Sequence, residues 1–222
     1  MPTYFTVNTI AELICFLISL FCLFKDGNPI WRSFILYMFI VYTVETGGIF
    51  LRELNKMNFH LYTVFLIIEC TMMSVFFFHL YSKYKTRLAI VFYAWIAIFM
   101  VFFTAELATN RFKVFPFRTA ELMSVVFVIA SCYFYLIIIR DEKFRRLSTY
   151  PPFWMVNGIL FFYFGGTACN IFYDYLSHEK LSLPSMSIRY ITFNILNVLL
   201  YSCWSYAFIC RYLQRNLSSS LH

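Results

Sequence analysis

The chain has 222 residues, of which 61% are hydrophobic, 23% aromatic and only 13% charged. A soluble domain carries about a quarter charged residues, and one small core cannot hide this much apolar surface, so an ordinary soluble globular fold is excluded. The net charge of +7 is spread over short segments between apolar stretches, where membrane topology accounts for it, and no nucleic-acid partner is expected.

Taken in order, the pattern predicts an all-α integral membrane protein, a single domain over residues 1–222 with seven transmembrane helices. The N-terminal MPTYFTVNT lacks a basic run, so no cleavable signal is expected and the first apolar stretch is read as retained. Span 1 covers about Val7 to Phe24, and the turn KDGNPIW stops it. Span 2 covers about Ser33 to Leu51. Span 3 opens the stretch His60 to Arg87, which ends in Lys83, Lys85 and Arg87. Span 4 covers about Leu88 to Ala105 and span 5 about Thr119 to Ile139. The most charged segment, RDEKFRRLSTYPP, precedes span 6, about Phe153 to Leu176. Span 7 covers about Ile188 to Tyr212. All six prolines, Pro2, Pro29, Pro116, Pro151, Pro152 and Pro184, are placed outside these spans, which predicts helices without proline kinks.

Lysines and arginines set the orientation. With the N-terminus outside and the C-terminus inside, eleven fall on inner segments and seven on outer ones. That bias favours this orientation in a cell membrane, the bacterial inner membrane being the expected one.

Two pairs of spans echo each other. Span 3 aligns with span 7, with Tyr62 opposite Tyr190, Phe65 opposite Phe193, Glu69 opposite Asn197 and Lys83 opposite Arg211. TIAEL in span 1 aligns with RTAEL in span 5, placing Glu12 opposite Glu121. The pattern suggests two parallel three-helix repeats joined by span 4, the plan some small transporters use.

Polar residues inside the spans are the candidate ligand-binding set: Glu12, Glu45, Glu69, Asn170, Asp174, Asn194 and Asn197. A charge in hydrocarbon is costly, so each carboxylate must face protein or water. Glu12, Glu45 and Glu69 lie roughly 7 to 14 Å inside the outer boundary at the helical rise. Asn194, Asn197, Tyr201 and Trp204 share one face of span 7, and Gly166, Asn170 and Asp174 share one face of span 6. Glu45, Glu69 and Asn197 are expected to line one outward-facing cavity, with Glu12 and Asp174 nearer its mouth. For any one of these groups, hydrogen bonding between helices explains its presence as well as function does. Three carboxylates at one depth favour a pocket that binds a proton, a cation or a basic ligand.

Other chemistries have no motif. His60, His79, His178 and His222 are scattered, and HExxH, Walker, GxSxG and dinucleotide fingerprints are missing from the sequence. Span 7 has no lysine for a retinal Schiff base. No enzymatic activity, metal or cofactor is expected. All seven cysteines fall inside spans on five helices, where packing rather than disulfide formation is expected.

The segments PPFWMVNGILFFYFGG and FNILNVLLYSCWSYAFIC carry a resemblance. Over roughly Pro151 to Cys210 the chain resembles small seven-helix membrane proteins of Bacteroidota encoded near histidine-kinase and response-regulator modules. The resemblance implies a sensory or signal-input role through a cytoplasmic signalling partner, and it brings no binding residues of its own. A small-solute or cation transporter of three-plus-one-plus-three design is the second reading. A structural subunit of a membrane complex is the third.

Overall fold

The computed structural model describes residues 6–83, 88–140, 146–171 and 188–219. Among the described residues it holds seven α-helices and one 3-10 turn, with no strand. They are α1 (Val7–Leu23), α2 (Pro29–Glu53), α3 (Phe59–Ser82), α4 (Leu88–Thr109), α5 (Phe117–Arg140), α6 (Pro151–Ile171) and α7 (Ile188–Ser219). Five of them, α2, α3, α4 from Val91, α5 and α7, are long and apolar enough to cross a membrane. The apolar helix α1 is shorter, at 17 residues.

Local chemistry sets the helix ends. Thr6 caps α1, its hydroxyl accepting from the Thr9 N–H at 3.2 Å. Asn28 caps α2 by accepting from the Ile30 N–H at 3.0 Å, with Pro29 as the first helical residue. Pro151 and Pro152 likewise form the first turn of α6. Pro29, Pro151 and Pro152 therefore belong to helices rather than to the loops before them. A first-turn proline has no N–H to lose and carries the φ a helix wants, so it starts helices without kinking them. Glu106 of α4 caps the next helix instead of its own, accepting from the N–H groups of Arg118 at 3.1 Å and Thr119 at 2.8 Å.

The helices alternate in direction and form a ring. α1 packs between α2 and α7, and α6 packs between α5 and α7. α3 touches α2, α4 and also α5 directly, which leaves α4 on the outside of the ring. Glycines allow the closest approaches. A Cβ on Gly48 would come within 2.3 Å of the Tyr62 hydroxyl on α3, and one on Gly165 within 2.6 Å of the Leu196 side chain on α7.

An aromatic cluster fills the middle. Phe34 is fully buried, with ring centroids 5.6 Å from Phe76, 5.7 Å from Trp204, 6.0 Å from Phe208, 6.2 Å from Tyr37 and 6.3 Å from Trp31. Edge-to-face contacts dominate, the arrangement that ring quadrupoles favour. This septum divides the bundle into two ends, and each end holds a cavity.

Candidate functional site

The larger cavity, about 550 Å³, opens at the end of the bundle where α1, α3, α5 and α7 begin. Five of the seven residues singled out from the sequence line it: Glu12, Glu45, Glu69, Asn170 and Asn197. Asn194 lies on α7 but is not among the lining residues. Asp174 lies outside the described residues. The cavity walls also carry Glu121 and Arg189, together with the tyrosines Tyr37, Tyr62, Tyr163 and Tyr201.

Each carboxylate is held differently. Glu69 accepts a hydrogen bond from the Tyr163 hydroxyl of α6 at 2.6 Å. Glu45 accepts from the Tyr62 hydroxyl of α3 at 3.2 Å. Glu12 is 4% exposed, with the Tyr201 hydroxyl on its flank, and its Oε2 has no hydrogen-bond partner among the described residues. Glu121 is exposed. Glu12, five residues into α1, is nearer the helix ends than Glu45 and Glu69 but is buried, whereas Glu121 near the start of α5 is exposed. α1 is wedged between α2 and α7, which cover its inward face. Arg189 donates to the Asn170 side-chain oxygen at 3.3 Å and stands 5.7 Å from the Phe193 ring centre. This contact joins α6 to α7 at the cavity wall.

Tyr37, Met73 and Trp204 also line this cavity, where they meet the aromatic septum. Beyond the septum lies the second cavity, about 160 Å³, with Trp31, Phe76, His79, Lys83 and Arg211 among its lining residues. Asp26 is buried there in the turn after α1. It accepts two bonds from Arg211, from Nε at 2.8 Å and from Nη2 at 3.1 Å. The Asn28 backbone N–H adds a third at 2.8 Å. Burial alone would raise this carboxyl, but the Arg211 and Asn28 hydrogen bonds and the nearby arginine charges outweigh it and hold it below its ordinary value of 3.8. The Arg211 guanidinium also lies 5.5 Å from the Trp31 ring centre.

Asn157 accepts from the Tyr135 hydroxyl, joining α6 to α5. All seven cysteines are free thiols.

The lining tyrosines were hidden in the sequence because an aromatic-rich chain offers many equivalent candidates. Two had a signal: Tyr62 belongs to the span 3 and span 7 alignment, and Tyr201 shares a helical face with Asn197. Arg189 had none, since a basic residue at a helix end reads first as topology.

No protein-family model, curated protein or solved structure matches the chain.

Proposed function

We propose that the chain is a seven-helix sensory or signal-input protein of the cell membrane, in which a ligand enters the large cavity from outside and α7 carries its presence to the cytoplasmic end. The observation that carries this reading is that α7, which like α2, α3 and α6 lines both cavities, also holds the buried Asp26 through Arg211. α7 contributes Arg189, Phe193, Asn197 and Trp204 to the carboxylate cavity, and Arg211 and Gln214 to the small cavity beyond the septum. Trp204 bridges the two regions by packing on Phe34 and Tyr37. A ligand pressing on its ring acts on the helix that holds Asp26 at the other end.

The topology follows from the charges: N-terminus outside, C-terminus inside, all seven helices spanning. The basic residues His79, Lys83 and Arg211 gather at the small cavity, with one carboxylate, Asp26, on Arg211, whereas Glu12, Glu45, Glu69 and Glu121 line the large cavity with one basic residue, Arg189. That polarity agrees with a positive cytoplasmic side. The three-plus-one-plus-three repeat is supported by the position of α4 outside the ring and by paired residues in the cavity wall. Glu12 with Glu121, Phe65 with Phe193 and Glu69 with Asn197 all line the cavity. The resemblance to Bacteroidota proteins encoded near histidine kinases points to a cytoplasmic partner that reads the inner end. Sensing is preferred to transport because the septum is tightly interlocked and, among the described residues, no proline breaks a helix interior.

Covalent filling of the cavity tests the relay. Ser124 lines the cavity, and Ser124→Cys in a cysteine-free background accepts a bulky thiol reagent there. Trp95 and Trp154 are replaced by Phe, Trp204 is kept as the relay, and a parallel Trp31→Phe chain isolates the Trp31 signal. The reading predicts that modification at Ser124→Cys shifts Trp31 emission across the septum. Unchanged emission, with modification confirmed by mass, would overturn the relay.

A further inference from the structure

We infer that the large cavity takes a small organic ammonium ion, an amine carried on an apolar body; this rests on the reading of the cavity as a ligand site. Charge comes first. Four carboxylates, Glu12, Glu45, Glu69 and Glu121, line the cavity against one guanidinium, Arg189, which is engaged with Asn170. An anion would enter against that field, and a cation would enter with it.

One of these carboxylates is also incompletely satisfied. Glu12 is 4% exposed and its Oε2 lacks a hydrogen-bond partner among the described residues, although it lines the cavity. A buried acceptor left unmade is costly, and an ammonium N–H reaching it restores the missing bond with charge assistance. Tyrosine hydroxyls engage all three buried carboxyls, Tyr62 on Glu45, Tyr163 on Glu69 and Tyr201 on Glu12, which leaves Oε2 of Glu12 open among the described residues.

Size and lining then separate an organic cation from a bare ion. Among the described residues no three acidic, histidine or cysteine side chains converge as metal ligands. The carboxylates are instead distributed around about 550 Å³, the volume of a small-molecule site. Tyr37, Tyr201 and Trp204 add aromatic rings to the same lining. Aromatic walls with interspersed carboxylates recognise ammonium groups through cation–π attraction and direct ion pairing.

The test uses the full chain in lipid nanodiscs and three probes of one shape: phenethylammonium, phenethyl alcohol and phenylacetate. Calorimetry and thermal unfolding read binding. The inference predicts that the ammonium binds about tenfold or more tightly than the alcohol, and that phenylacetate does not bind. Glu12→Gln is predicted to bring the ammonium down to the alcohol's affinity. Should that variant fail to fold, the wild-type ranking of the three probes still decides. Equal binding of ammonium and alcohol, or preference for phenylacetate, would overturn the amine assignment and leave the cavity as a ligand site of another chemistry. Failure of all three to bind would also overturn it, and the ligand-site reading would then stand or fall on the tethering experiment.

Discussion

Glu69 and Tyr163 make the clearest case for separating glue from function at the level of single residues. Tyr163 is 5% exposed and donates its hydroxyl to Glu69. Glu69→Gln retains an acceptor for that hydroxyl, whereas Glu69→Leu strands it. The Leu variant is predicted to lose about 1 kcal/mol of stability, read as a lower melting temperature, while the Gln variant stays near wild type. An equal loss in both would show that the charge, not the hydrogen bond, holds the helices together. Ligand response is predicted to fall in both variants.

Asp26 carries a pH prediction. Its folded pKa is depressed below 3.8, so the stability it contributes is present above that value and is lost as pH falls through the folded pKa. Asp26→Asn is predicted to cost about 1 to 2 kcal/mol at neutral pH, because the Arg211 side chain is 31% exposed and stays partly solvated when its partner is lost. The difference between variant and wild type is predicted to shrink below the ordinary carboxylate range. A melting-temperature gap that is constant with pH would contradict this. Asp26 was legible in the sequence only as part of a turn. Its partner lies 185 positions away, and nothing local to KDGNPIW announces it. Glu12, Glu45 and Glu69 were legible because an intramembrane carboxylate must find protein or water.

Helices were readable where apolar length dominates and less so where caps decide. Spans 3, 4 and 5 agree closely with α3, α4 and α5. α2 and α6 begin earlier than hydropathy suggested because Pro29 and Pro151 start helices rather than interrupt them. α7 continues to Ser219, past the expected end at Tyr212. Its 32 residues give about 48 Å at the helical rise, against a hydrocarbon core of about 30 Å. The excess end is polar, and Gln214 there donates to the Thr149 carbonyl at 2.7 Å. Hydropathy has no means of showing that such an end stays helical.

Helix packing supplies a further prediction. A Cβ on Gly158 of α6 would meet the Trp204 ring at 3.1 Å and Cys203 Cβ at 3.2 Å on α7. Trp204 is fixed by Phe34, Tyr37 and its own indole N–H, which donates to the Met155 carbonyl at 3.2 Å. Gly158→Ala is therefore predicted to destabilise by about 1 to 3 kcal/mol, measured by thermal unfolding. At Gly48 the obstacle is the far end of a flexible tyrosine. Gly48→Ala is predicted to change melting little but to displace the Tyr62 hydroxyl from Glu45 and weaken ligand binding. A large loss of stability in Gly48→Ala with unchanged binding would contradict the role given to that contact.

For the molecule as a whole, the two ends of the bundle differ in charge and lining. In the proposed topology the carboxylate cavity faces outward and the Asp26–Arg211 pair inward, with the aromatic cluster around Phe34 between them. Composition carried the membrane assignment, and periodicity carried most of the cavity. The ring closure by α7 between α1 and α6 was beyond sequence, because side-chain fit rather than pattern selects helix neighbours. Reporter fusions after Lys113 and after His222 are predicted to read exterior and cytoplasm respectively, and the reverse result would invert the molecule.

The most direct measurement is the accessibility of the cavity from each side. A single cysteine at Ser124, in a chain freed of its seven native cysteines, is exposed to a membrane-impermeant thiol reagent on intact cells and, separately, on inside-out vesicles. The account predicts modification of Ser124→Cys from the exterior and none from the inner face. Modification from the inner face, with the exterior unreactive or equally reactive, would contradict an outward-facing sensory cavity sealed by the septum.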